Sequence, residues 1–172
     1  MRTLYLFRHA KSDWSDPGQQ DFDRPLSPRG RKAAPLMGRW MARHRIAPAR
    51  VLSSPAVRAR ETCRLAFAEL SAAPDVRFEP ALYLAGPERI LDLVRTTPDA
   101  VASLMIVGHN PGLHMLAIEL VHSGHERDIA RLHAKFPTAG FAEIALPVDR
   151  WPDIAPQTGR LARFVTPRDL AE

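Results

Sequence analysis

Residues 101–107 (VASLMIV) are apolar at every position but one, and they run directly into Gly108-His109-Asn110-Pro111-Gly112. The run has no alternation that would leave one face wet, and it falls far short of the ~20 residues a membrane span needs. It predicts a central strand covered on both faces, as in a parallel sheet between helices. In chain order, residues 2–7 (RTLYLF) predict a buried first strand, residues 50–53 a short second, and residues 76–78 a weak third.

Helix signals fall between these strands. Ser27-Pro28 reads as an N-cap with proline at the first helical position, opening a helix to about residue 44. Ser54-Pro55 repeats that start signal for a helix to about residue 70. Residues 87–95 (PERILDLVR) read as a short amphipathic helix and residues 113–121 as the next helix. Residues 141–146 (FAEIAL) and 161–165 (LARFV), joined through a Pro/Gly-rich connection, read as an antiparallel pair at the sheet edge. The alternation predicts an α/β fold: a three-layer sandwich with a mostly parallel sheet flanked by helices and an antiparallel edge.

With 172 residues, 45% of them apolar and 25% charged, the chain is expected to be one soluble domain over residues 1–172. Its single cysteine, Cys63, excludes an internal disulfide framework and suits a core position in a reducing cytoplasm. The apolar segment at residues 4–7 is too short for a secretory signal, and no membrane span is expected. The net charge is +5, from 21 arginines and three lysines against 19 acids. The arginines are scattered through helical stretches, without interleaved aromatics, so a nucleic-acid partner is not expected.

In open α/β sheets, ligands bind beyond the carboxyl ends of the strands. The first strand ends at Arg8-His9, the second is followed by Arg58, and the strongest ends at Gly108-His109-Asn110. Two histidines and two arginines on one rim suit a phosphoryl group, whose oxygens match the planar guanidinium donors. A histidine between two guanidinium groups should be held neutral, the form that nucleophilic attack on phosphorus requires. Nothing resembles a Gly-x-x-x-x-Gly-Lys phosphate loop or a Mg²⁺ site, and His122, His125 and His133 lack partners at ligand spacing. Metal-independent, cofactor-free chemistry is expected. Lys11 and Trp14 lie in the same loop region as His9, while His114 reads as structural.

Four segments carry a family resemblance. Leu6-Phe7-Arg8-His9-Ala10-Lys11 resembles the Arg-His-Gly signature of the histidine phosphatase (phosphoglycerate-mutase-like) superfamily. Arg24-Pro25-Leu26-Ser27-Pro28-Arg29-Gly30 is similar to the segment that opens its first helix. Ser53-Ser54-Pro55-Ala56-Val57-Arg58 through Thr62 resembles its Ser-Pro-x-x-Arg-x-x-x-Thr segment, and Val107-Gly108-His109-Asn110 its second-histidine motif. The short length and the Arg-His-Ala-Lys variant are most similar to the SixA-type phosphohistidine phosphatases.

The resemblance implies that His9 is the nucleophile and that Arg8, Arg58 and His109 complete the phosphate pocket. Ser15 stands where relatives place a further phosphate-touching residue. Phosphoester-cleaving relatives carry a general acid after the third strand. Residues 79–86 (EPALYLAG) have no carboxylate just after the leucine, leaving Glu79 and Glu88 as flanking candidates. A poor leaving alkoxide needs a proton donor, whereas a protonated imidazole leaves readily. The implied substrate is therefore a phosphorylated protein carrying phosphohistidine. The alternatives are a small phosphoester cleaved with Glu79 or Glu88 as acid, or a phosphoprotein-binding module without turnover.

Overall fold

The computed structural model describes residues 1–171. Its strands are β1 (Arg2–Arg8), β2 (Arg50–Ser53), β3 (Val76–Phe78), β4 (Ser103–Gly108), β5 (Val121–Gly124), β6 (Phe141–Leu146) and β7 (Gly159–Val165). Its helices are α1 (Pro28–Arg43), α2 (Val57–Phe67), α3 (Pro87–Arg95), α4 (Gly112–Leu120), α5 (Glu126–Ala134) and α6 (Pro167–Leu170). The strands form one seven-stranded sheet in the order β3-β2-β4-β1-β6-β7-β5.

The expected central strand is β4, which pairs in parallel with both β1 and β2. It begins two residues later than the apolar run. The Val101 carbonyl accepts from the Trp151 indole N–H at 2.7 Å and from Arg2 at 3.1 Å. Only β6 runs against its neighbours, since it is antiparallel to both β1 and β7. The antiparallel pair of β6 and β7 forms as expected, but β5 lies outside it and pairs in parallel with β7.

Strand alternation divides the core into two layers. Leu4, Leu6, Leu104 and Ile106 face one cluster, with Ile90, Leu91, Leu113 and Leu116 of α3 and α4. Tyr5, Phe7, Met105 and Val107 face the other, with Met37, Trp40 and Met41 of α1 and Cys63 of α2. This is the three-layer arrangement of an α/β sandwich.

Two helix starts contrast. Ser27 caps α1, its hydroxyl accepting from the Gly30 N–H at 3.1 Å with Pro28 at the first helical position. Ser54 does not cap α2. That helix starts at Val57 after Ala56, with no side-chain cap, and ends at Phe67. Gly30 lets α1 approach the loop after β1 closely, because a Cβ there would stand 2.1 Å from the Lys11 carbonyl oxygen.

Candidate active site

The site lies where β1 and β4 end side by side. His9 follows β1 directly, and its backbone is held from two directions. Its N–H donates to the Gly108 carbonyl at 3.1 Å, and its carbonyl accepts from Ala139 at 3.0 Å. The next residue is tied to α2, since the Ala10 N–H donates to Thr62 Oγ1 at 2.9 Å and that hydroxyl donates to the Arg58 carbonyl at 2.7 Å. Arg58 sits in the first turn of α2 and is buried, as are His9 and His109.

The structure brings Arg8, His9, Arg58 and His109 together. The imidazole rings of His9 and His109 have centroids 5.1 Å apart. His9 Nδ1 lies 2.7 Å from the Ala10 carbonyl, which can only accept, so Nδ1 carries the proton in the neutral ring. Nε2 keeps its lone pair and faces Arg58, whose Nε–H approaches it at 3.4 Å. The Arg58 Nη2 lies 3.3 Å from His109 Nδ1, which must accept from a guanidinium. His109 Nε2–H then donates to Ser54 Oγ at 2.7 Å. Ser54 is thus a positioning residue for His109 rather than a helix cap.

Both tautomers are neutral forms, and the electrostatics favour neutral rings. Burial holds His9 well below the usual histidine range, and His109, Arg58 and Arg8 add to that against the opposing Ala10 hydrogen bond. Burial and then Arg58 push His109 down to about 4, with Asp21 opposing. Both rings are neutral near pH 7. Burial and the neighbouring Arg58 also lower Arg8, whose Nη1 donates to the Phe136 carbonyl at 3.0 Å. Its Nε is buried without a partner among the described residues.

These side chains line a cavity of about 330 Å³, together with Ser12, Asp21 and Arg24 and the flanking Lys11 and Trp14. Asp21 and its contact with Tyr83 were not foreseen from the sequence. Its carboxylate accepts from Arg58 at 3.1 Å, from Arg24 at 2.9 Å and from the Tyr83 hydroxyl at 2.5 Å. Partial burial would push Asp21 up, but the Tyr83 and Arg24 hydrogen bonds and the Arg58 charge outweigh it and hold it at about 2. The only sequence signal was Asp21 standing three residues before Arg24, which places both on one turn.

Three expected site residues lie elsewhere. Ser15 is exposed and does not line the cavity. Its backbone N–H donates to Asp13 Oδ1 at 2.7 Å, a tight local turn, and Ser12 points inward instead. The Glu79 side chain accepts from the Ala81 N–H at 3.1 Å, capping the turn at Pro80–Leu82. Glu88 lines a separate cleft with Gly86, Arg89 and Asp92. Among the described residues, no three His, Cys, Asp or Glu side chains gather into a group that could hold a metal ion.

Two neutral imidazoles among guanidinium groups can accept a dianionic phosphoryl group, with one ring nitrogen free to attack phosphorus. Comparison with known proteins agrees. The family profile described as histidine phosphatase superfamily (branch 1) matches residues 4–83, which include Arg8, His9 and Arg58. An uncharacterized protein from Mycobacterium tuberculosis (strain H37Rv) is 39% identical over 163 residues, covering 94% of this chain and 99% of that protein. A crystal structure from Agrobacterium tumefaciens, provisionally described as the phosphohistidine phosphatase SixA, superposes with a TM-score of 0.81 at 31% identity. That match covers 96% of this chain and 97% of the other. The protein histidine phosphatase SixA complexed with tungstate shares the fold, with a TM-score of 0.74 at 22% identity over 98% of this chain and 99% of that one. With Arg8, His9, Arg58 and His109 gathered at one strand end and a full-length likeness at that level, this chain belongs to the histidine phosphatase superfamily and is a phosphatase.

Proposed function

We propose that this protein removes the phosphoryl group from phosphohistidine on a partner protein, working as one domain through a phosphorylated His9. One observation carries the choice of substrate: the carboxylate that lines the cavity, Asp21, is held at about 2 and is deprotonated near neutral pH. It has no proton to give a departing alkoxide. Glu79 and Glu88, the other candidates, do not line the cavity. A phosphohistidine whose ring is protonated on its other nitrogen needs no donor, because it leaves as neutral imidazole.

In the first step His9 Nε2 bonds to phosphorus as the substrate P–N bond breaks, and the electron pair of that bond returns to the leaving imidazole. Arg8, Arg58 and His109 surround the equatorial oxygens and stabilise their charge. In the second step a water oxygen bonds to phosphorus and the P–Nε2 bond breaks. Inorganic phosphate and neutral His9 are restored, the water's protons passing to phosphate and solvent. Nothing in the residues calls for a metal or an organic cofactor. The single, buried Cys63 thiol suits a reducing cytoplasm.

The test is phosphate release in the presence of a chelator from a phosphohistidine protein and from an aryl phosphate, with wild type and His9→Ala side by side. Release from phosphohistidine well above the ester, lost in the variant, is expected. Preference for the ester would assign the protein to small phosphoesters. A stoichiometric burst without turnover would leave it a binding module.

A further inference from the structure

A second cavity, of about 410 Å³, adjoins the first and shares Arg8, Lys11 and Thr138 with it. Its charge is of one sign. Lys11 comes from the loop after β1, Arg29 from the first turn of α1, Lys135 from the end of α5, and Arg168 from α6. No carboxylate lines it. None of these four side chains has an ion-pair partner among the described residues, and all four are exposed. Asp169, next to Arg168, is turned away: its carboxylate binds Arg131 and caps α6 at Thr166. Arg8 stands between the two cavities with its buried Nε unpartnered.

Four long cationic side chains from four separate elements, held near one another without acids, repel each other in the free protein. Such an arrangement is favourable only when opposite charge arrives. The phosphoryl pocket is already supplied by Arg58, His9 and His109, so this second group of cations faces whatever surrounds the phosphoryl group on its carrier.

We propose that this basic cleft docks an acidic surface of the substrate protein, reading aspartate and glutamate side chains next to the phosphorylated residue. The inference rests on the phosphoprotein reading above and names the partner class for that site. The exposure of the four cations fits a protein surface, whose carboxylates are spread over several ångströms and stay partly hydrated. A compact second phosphate would call instead for buried donors converging on one point. The cleft would raise the association rate and select the partner, with the chemistry left to the first cavity.

The experiment uses two phosphohistidine peptides of one sequence, flanked by glutamates in one and by glutamines in the other, with an aryl phosphate as reference. At low salt, kcat/KM is expected to be about tenfold higher for the acidic peptide, the advantage fading as salt rises. The double charge reversal K135E/R168E should lower kcat/KM for the acidic peptide about tenfold or more relative to the aryl phosphate. Equal rates on the two peptides, or a preference that survives the reversal, would overturn the proposal.

A competition arm separates this result from failure of the phosphohistidine reading. If neither peptide is turned over while the ester is, oligo-glutamate should still inhibit ester hydrolysis in wild type and much less in the reversal variant. That outcome would keep the acidic docking surface and discard phosphohistidine. No inhibition by oligo-glutamate, or inhibition by a single-stranded oligonucleotide alone, would overturn the docking surface itself.

Discussion

His9 and His109 both bind a proton more weakly in the folded protein than in an unfolded chain, because burial and the arginines disfavour imidazolium. For a base depressed in this way, the stabilisation is complete above the ordinary value of 6.5. It drains as acid protonates the unfolded chain first, and for His109 the loss stops only near the folded value of about 4. Within that window His109 removes about 1.4 kcal/mol per pH unit. It is therefore expected to take about 2 kcal/mol of unfolding free energy from the wild type between pH 7 and pH 5. His109→Gln, which no longer titrates, should lose about 2 kcal/mol less than the wild type over the same range. Urea unfolding at the two pH values measures this, and equal losses in the two proteins would refute it. Asp21 works in the opposite range, since its stabilisation is present above 3.8 and goes only as pH falls toward about 2. The early acid loss therefore belongs to the histidines.

At the scale of elements, the site depends on how α2 is tied to the turn after β1. Thr62 ties the two backbones, its hydroxyl accepting from the Ala10 N–H and donating to the Arg58 carbonyl. Thr62→Val keeps the shape but leaves the Ala10 N–H buried and unpaired, which costs about 1 to 3 kcal/mol. Turnover should fall as well, because His9 and Arg58 then lose their common anchor. Unfolding and kcat measured together check this, and a loss of stability with unchanged kcat would show that Thr62 serves the fold alone. Thr62 was legible in the sequence as the end of a Ser-Pro-x-x-Arg-x-x-x-Thr segment, and so were the strand ends that deliver Arg8, His9 and His109. Other parts were not. Ser54-Pro55 carries the same signal as Ser27-Pro28, yet the Ser54 hydroxyl is bound by His109, a partner 55 residues away that local sequence does not show. β5 and α5 bury little beyond Val121 and Leu132, with Ile129 half-buried beside the latter, so their apolar pattern is too short to read in isolation. Asp21 lay in a stretch whose composition says only loop. Its role comes from Arg58 and Tyr83, which reach it from elsewhere in the chain.

Over the whole molecule, the cavity joins elements that are far apart in sequence: β1, the turn at Asp21–Asp23, α2 and the end of β4. Without an anion it concentrates positive charge, with burial and Arg58 disfavouring the charge on Arg8 and the Arg8 Nε buried without a partner among the described residues. A ligand that binds only the folded state stabilises it by mass action, by about 2.7 kcal/mol at a hundred times its Kd. For a domain of this size that amounts to a rise in Tm of roughly 5 to 10 °C. Inorganic phosphate, the product of the reaction, should produce that rise, and sodium chloride at equal ionic strength should not. Arg8→Met removes one charge and the unpartnered Nε while keeping most of the apolar stem. The phosphate-free variant is expected to melt at or above the wild-type temperature, because a half-buried cation with no carboxylate partner among the described residues has gone. Its response to phosphate should be smaller by several degrees. Differential scanning calorimetry of the two proteins with and without phosphate decides the matter. An Arg8→Met protein that is less stable than wild type but still responds fully to phosphate would mean that Arg8 supports the fold through its bond to Phe136 and lies outside the phosphate site.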